Sequence, residues 1–242
     1  MIRRRPVLAI AGKELRSWFC SPLFFGTGLF FLLFISVWLY YFQAFFAMDS
    51  ADLRPFFSGF LYVYILAVPA VTMKSWTDEK KSGTAELLFT MPISDWELCL
   101  GKFISTFAVV LVYVGLTVPV PLSLLPLAKP DPGIIVNYAG VVFLGAYAVS
   151  LGLFFSCMFK NQSAAFLSCA IMLLVQIYVD FFTGSFVSSP AILRFLQFIS
   201  LSSRYESFLR ELLDSRDLVF FITCTILFLF LSTRLLIKMK RS

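Results

Sequence analysis

The chain has no histidine among its 242 residues. That removes the commonest metal ligand, the zincin motif and the usual general base. Five cysteines are present, at 20, 99, 157, 169 and 224, but none forms a C-x-x-C pair. They fall within or at the inner ends of apolar runs, as small packing residues do, and no metal site is expected. The Gly-Lys pairs Gly12-Lys13 and Gly101-Lys102 lack the upstream Gly and downstream Ser or Thr of a phosphate-binding loop, so the chain has no means of its own to hydrolyse ATP. No nucleophile and base stand at a spacing that suits an intramembrane enzyme. Charge is scarce too: 14% of residues are charged, against about a quarter in soluble domains. The bases are split over short segments and form no single face, which excludes nucleic acid as a partner.

What is abundant is apolar surface, 60% of the residues, with a mean hydropathy of +0.88. A membrane span needs roughly 20 apolar residues to cross about 30 Å of hydrocarbon. Six segments meet that length: Leu23 to Phe42, Phe56 to Met73, Leu98 to Leu125, Ile134 to Phe159, Ser163 to Phe182 and Leu218 to Ile237. The basic run Arg3-Arg4-Arg5 is followed by a full-length span with no small-x-small cleavage site, which predicts a retained first helix. With both termini cytoplasmic, Arg54, Lys129, Arg194, Arg204, Arg210 and Arg216 are the only bases left outside, out of 20 in all. The positive-inside rule favours that orientation, and the net charge of +6 reads as a topology signal.

The expected fold is therefore an all-α polytopic membrane protein, a single transmembrane domain over residues 1–242 with six transmembrane helices. Val7, Leu8, Ala11, Leu15, Trp18 and Phe19 share one helical face, with Lys13, Arg16 and Ser17 opposite. Residues 1–20 thus form an amphipathic helix on the inner interface, ended by Ser21-Pro22. Pro119, Pro121 and Pro126 predict a kink at the outer end of the third span. Ala148, Gly152 and Ser156 form a small-residue ridge for close helix approach on the fourth. Gln176 and Asp180 are the most polar residues near the depth of a span, Asp180 lying close to its outer end, where a charge costs less.

The outer segment 183–217 predicts two short helices. One starts at Ser189-Pro190; the other has a capping box of Ser203 and Glu206 and an apolar stripe of Tyr205, Phe208, Leu209, Leu212 and Leu213. Its arginines and acids nearly cancel, so charge alone gives no ligand sign.

The cytoplasmic segment 77–97 is a polar island between the second and third spans. Trp76 is placed at the interface, and Asp78, Glu79, Lys80 and Lys81 in water. Thr84 caps a short helix that carries Glu86 in its first turn and Leu87, Leu88, Phe89 and Met91 on its surface, and Pro92 ends it. Ser94 restarts the chain with Glu97 as capping-box partner and an Ile93–Leu98 staple. Two capped helices with an elbow, an apolar knuckle framed by charge, make a docking site for another protein.

The run E-K-K-S-G-T-A-E-L-L-F-T-M-P-I-S-D-W-E followed by Gly101-Lys102 resembles the cytoplasmic signature of type-2 ABC exporter permeases. Lys13-Glu14-Leu15-Arg16-Ser17-Trp18-Phe19 with Ser21-Pro22 is similar to that family's elbow helix. Arg204-Tyr205-Glu206-Ser207-Phe208 and Asp214-Ser215-Arg216-Asp217-Leu218 are similar to the stretch before its last span. Length and span number resemble most closely the gliding-motility-associated type. Lys74 stands where the family usually has Arg, and Glu211 where Gly is common. The absence of His and of Cys pairs argues against copper.

The resemblance implies a permease subunit that couples ATP hydrolysis by a separate ATP-binding subunit to substrate movement across the bacterial inner membrane. ATP and Mg would be bound by that partner and no cofactor by this chain. Thr84 to Met91 would be the coupling helix, with Glu79, Gly83, Thr84, Glu86, Leu87, Leu88, Phe89 and Pro92 facing the ATPase. Lys13, Glu14, Arg16 and Trp18 would belong to the elbow helix. Tyr205, Glu206, Phe208 and Asp214 would meet an extracytoplasmic partner or gate the substrate. A second permease subunit, identical or related, membrane lipid and a periplasmic-domain auxiliary protein are the other implied partners. The alternative reading is a mechanical or scaffolding subunit, driven by ATP, that acts on a periplasmic partner without moving a solute.

Overall fold

The computed structural model of the chain describes residues 6–42, 53–84, 93–124, 133–186, 196 and 199–241. Among these, every regular element is helical. They are α1 (Pro6–Phe19), α2 (Pro22–Val37, running into a π turn at Trp38–Phe42), α3 (Arg54–Thr72), α4 (Lys74–Lys81) and α5 (Asp95–Thr117). There follow α6 (Pro119–Leu124), α7 (Gly133–Met158), α8 (Gln162–Phe186), α9 (Leu201–Leu209) and α10 (Ser215–Arg241). Six helical stretches are long and apolar enough to span a membrane, each overlapping one of the predicted segments. The protein is an all-α polytopic membrane protein.

Helix α7 is the centre of the bundle. Val141, Leu144, Tyr147, Ala148, Val149, Leu151 and Leu153 are all buried, so it is covered on every side, as a helix apolar all round must be. Small residues let its neighbours close in. A Cβ on Gly140 would stand 2.7 Å from Phe208 of α9, and one on Gly145 3.1 Å from the Tyr64 hydroxyl of α3. Gly152 receives the Thr72 side chain, and Ser156 is fully buried. The Ala148-Gly152-Ser156 ridge is thus where the second span packs, by the close approach that small residues permit.

Several buried polar groups are paired across helices, as a low-dielectric interior favours. The Tyr113 hydroxyl donates to Phe24 O (2.8 Å) and lies 2.7 Å from the Thr27 hydroxyl, tying α5 to α2. Tyr147 donates to Gln176 Oε1 (2.8 Å), which gives that polar residue a structural partner between α7 and α8.

The N-terminal helix forms, and Ser21 caps α2 by accepting the Leu23 amide, with Pro22 in its first turn. Its apolar face differs from the expected one. Ala11 and Trp18 are buried and Ile10 packs into a notch over Gly101, whereas Leu8 and Phe19 are exposed. The stripe is wider than one contact: part meets α5, and the remainder is left on the lipid side. At the third span the proline kink is present, α5 ending at Thr117 and α6 beginning at Pro119.

The outer helix departs from its expected start. Ser200, not Ser203, is the N-cap, accepting the Ser203 amide at 3.2 Å. Glu206 is therefore a turn too far along to close a capping box and pairs instead with Arg210 at 2.6 Å. The stripe is also cut short. Tyr205 and Phe208 are fully buried, but Glu211 takes φ 63°, which stops the helix and leaves Leu212 and Leu213 exposed. That left-handed conformation is one that glycine adopts without steric cost. The helix predicted to start at Ser189-Pro190 falls almost wholly outside the described residues.

Candidate functional site

One end of the bundle, the inner one in the predicted topology, is organised by α4, an eight-residue helix of sequence KSWTDEKK. It continues from α3 through Met73, just beyond Pro69. Three consecutive side chains of α4 reach three different places. Asp78 accepts from Gln162 Nε2 at the start of α8. Glu79 accepts from Lys102 Nζ of α5 at 2.6 Å. Lys80 donates to the carbonyls of Ser156 (3.2 Å), Cys157 and Phe159 (3.1 Å), where α7 runs out of internal donors.

Lys102 is the core of this arrangement. It lies about two turns inside α5 and is 2% exposed. A charge so placed is costly unless neutralised and fully hydrogen-bonded. Its ammonium donates to Glu79, to Glu14 of α1 (3.3 Å) and to Ser75 O (2.7 Å), which uses all three donors, and it sits 4.8 Å above the Trp76 ring. Helices α1, α4 and α5 are thereby joined at one atom. A cavity of about 230 Å³ opens beside it, bordered by Glu14, Trp18, Lys74, Asp78 and Glu79 among others.

This geometry corrects two expectations. Trp76 is 1% exposed, not an interfacial residue: its amide donates to Ser156 Oγ at 3.0 Å, so α4 is drawn in against α7 and its ring lies beneath Lys102. Glu79 and Lys80 are turned inward by their partners, and only Asp78 and Lys81 of that run are exposed.

Of the residues assigned to the coupling segment, Gly83 (φ 72°) and Thr84 are exposed at its start. Glu79 contacts the chain's own α5 through Lys102, which also holds Glu14 of α1. Glu86, Leu87, Leu88, Phe89 and Pro92 lie outside the described residues. The restart is as the spacing predicts: Ser94 N donates to Glu97 Oε2 (3.0 Å) and Glu97 N to Ser94 Oγ (3.3 Å), a complete capping box. In α1, of the residues assigned to the elbow helix, Glu14 and Trp18 face the protein, while Lys13 and Arg16 are exposed.

The outer candidates separate. Tyr205 donates to Phe57 O at 2.9 Å, and Phe208 packs on Phe143 and Phe221, so both are anchors inside the bundle. Glu206 and Asp214 are exposed, and Asp214 accepts the Arg216 amide at 2.9 Å where α10 begins. Asp180 accepts from Ser200 and Ser203 (2.8 Å), fastening α8 to α9. Sequence reasoning missed two charged clusters, Lys102 with Glu14 and Glu79, and Arg204 with Asp217. The available signal was a lysine inside an otherwise apolar span.

Among the described residues no group of His, Cys, Asp or Glu is placed to hold a metal. A helical bundle with six membrane-spanning stretches, joined at one end by a short charged helix, defines a polytopic membrane protein. Its family follows from comparison with known proteins. The model of the ABC-2 family transporter protein matches residues 48–237, and the chain belongs to that family. It is thus a membrane component of an ABC transporter, of the permease class. No curated protein matches the chain.

Proposed function

We propose that this chain is the permease subunit through which a separate ATPase subunit drives substrate across the bacterial inner membrane. The segment 77–97 receives the ATPase and transmits its motion. The observation that carries the reading is α4, whose Asp78, Glu79 and Lys80 engage α8, α5 with α1, and α7 in succession. A push on the residues that follow it would reach four helices through charge-assisted hydrogen bonds, stronger than neutral ones. The Ser94–Glu97 capping box gives the far side of the segment an equally firm start into α5.

In this reading the ATPase binds ATP and Mg, and Thr84 to Met91 is the coupling helix. Both termini are cytoplasmic, consistent with the positive-inside bias, and a second permease subunit completes the translocation path. The gliding-associated type is the subfamily we favour on the sequence resemblance. Glu79, in contact with Lys102, serves to position the segment.

The test is co-purification with the ATPase subunit. Glu86→Lys or Leu87→Asp is expected to abolish association while membrane insertion persists. Full binding by both variants would overturn the docking assignment.

A further inference from the structure

At the end of the bundle opposite α4, a cavity of about 730 Å³ opens between α9 and the first turns of α10. Arg204 and Arg216 line its polar mouth; Val219, Phe220 and Thr223 form an apolar wall that continues down one face of α10. We propose that this is a binding site for an anionic phospholipid. Its phosphate would lie at the two guanidiniums and an acyl chain along the wall.

The segment's arginines and acids nearly cancel in the sequence, yet the fold sorts them. Glu206 is taken by Arg210 on the exposed face of α9 (2.6 Å). Asp217 is taken by Arg204 (2.8 Å), a pair that fixes the arginine in place, 5.2 Å from the Phe220 ring. Asp214 accepts the Arg216 backbone amide, and the Glu211 carboxylate lies against Gly133 of α7. Both guanidiniums border the cavity and none of these carboxylates does. Arg216 makes no ion pair among the described residues and is exposed.

A guanidinium offers a planar fork suited to phosphate oxygens. The volume falls within the usual range for ligand sites, about 300–1,000 Å³. Val219 is 61% exposed, so the wall is open sideways to the membrane, which suits a two-part ligand with a charged head and an apolar tail. Free phosphate would satisfy the mouth and leave the wall uncovered. This inference rests on the geometry of this end alone and does not depend on the ATPase assignment.

The experiment is native mass spectrometry of the purified, delipidated full chain in detergent. It is titrated with phosphatidylglycerol, with phosphatidylcholine of the same acyl chains, and with glycerol phosphate. Phosphatidylglycerol is expected to be retained at least about fivefold better than phosphatidylcholine, the scale of one basic side chain acting on an anionic headgroup. Arg216→Gln should remove most of that preference by weakening phosphatidylglycerol more than phosphatidylcholine, whose phosphate is offset by its choline cation, while Arg210→Gln, outside the cavity, should retain it. Equal retention of the two lipids would overturn the proposal. So would equal losses in the two variants, or glycerol phosphate binding as well as the lipid. A wild-type dimer that excludes lipid and is split by Arg216→Gln would assign the groove to a second copy instead, and would also overturn it.

Discussion

The two ends of the bundle are closed by different physics. At the inner end the ties are electrostatic and distant in sequence: Glu14, Glu79 and Lys102 come from three helices, and Lys80 crosses to the end of α7. At the outer end the charged ties are local, Arg204 with Asp217 and Asp180 with Ser200 and Ser203, and closure depends on Tyr205 and Phe208 filling the space over Phe57 and Gly140. Charge-assisted hydrogen bonds keep their direction when a group of helices shifts together, whereas packed rings resist relative displacement. The inner end is therefore suited to receive a push as a unit, and the outer end to hold the spans in register.

The sharpest way to break this contrast is Lys102→Met. It leaves Glu79 and Glu14 without their cation, and breaking a buried pair costs about 3–5 kcal/mol. Reversible SDS unfolding should register a loss of that size, together with loosening of α1 from α5. A loss below about 1 kcal/mol would mean that the inner end is held by packing after all. Asp217→Asn should cost less, about 1–3 kcal/mol in the same assay. Arg204 is partly exposed and keeps its contact with the Phe220 ring, so its remaining charge is less isolated.

This asymmetry also marks what could be read from residue order. The spans, the N-terminal helix, the proline kink and the Ser94–Glu97 box are local signals, set by apolar length, by proline chemistry and by side chains a turn apart, and all are present. Trp76, Glu79 and Lys80 read as interface and water residues in the sequence because their partners, Ser156, Lys102 and the end of α7, are distant in the chain. The start of α9 lies one turn before the one the spacing predicts because two serines, 200 and 203, offer equivalent caps, and contact with Asp180 involves both. Residues 85–92, the middle of the proposed coupling segment, lie outside the described residues.

A middle-sized effect is expected at Lys80→Met. The terminal carbonyls of α7 would lose a cationic donor, at a cost of about 1.5–2 kcal/mol for hydrogen bonds involving a charge. Local opening is the more telling measurement. Cys157 is 2% exposed beneath this cap, so its maleimide labelling should accelerate in Lys80→Met and stay slow in the outer variant Asp217→Asn. Equal acceleration in both would indicate global loosening and erase the distinction between the ends.

The smallest effect is expected at Glu211→Gly, and its sign is informative. Glu211 holds φ 63°, a conformation that costs a residue with a Cβ roughly 1–2 kcal/mol and glycine almost nothing. Glycine would also enlarge the unfolded ensemble and would give up the carboxylate contact over Gly133, which together offset about 1 kcal/mol or so of that gain. The net change should stay within about 1 kcal/mol. A gain in SDS stability would mean that the backbone turn alone ends α9 here and that the side chain is dispensable. A larger loss would mean that the Glu211 carboxylate is itself a tie between α9 and α7, in which case the outer end is also closed by a charge acting over a long sequence distance, as the inner end is.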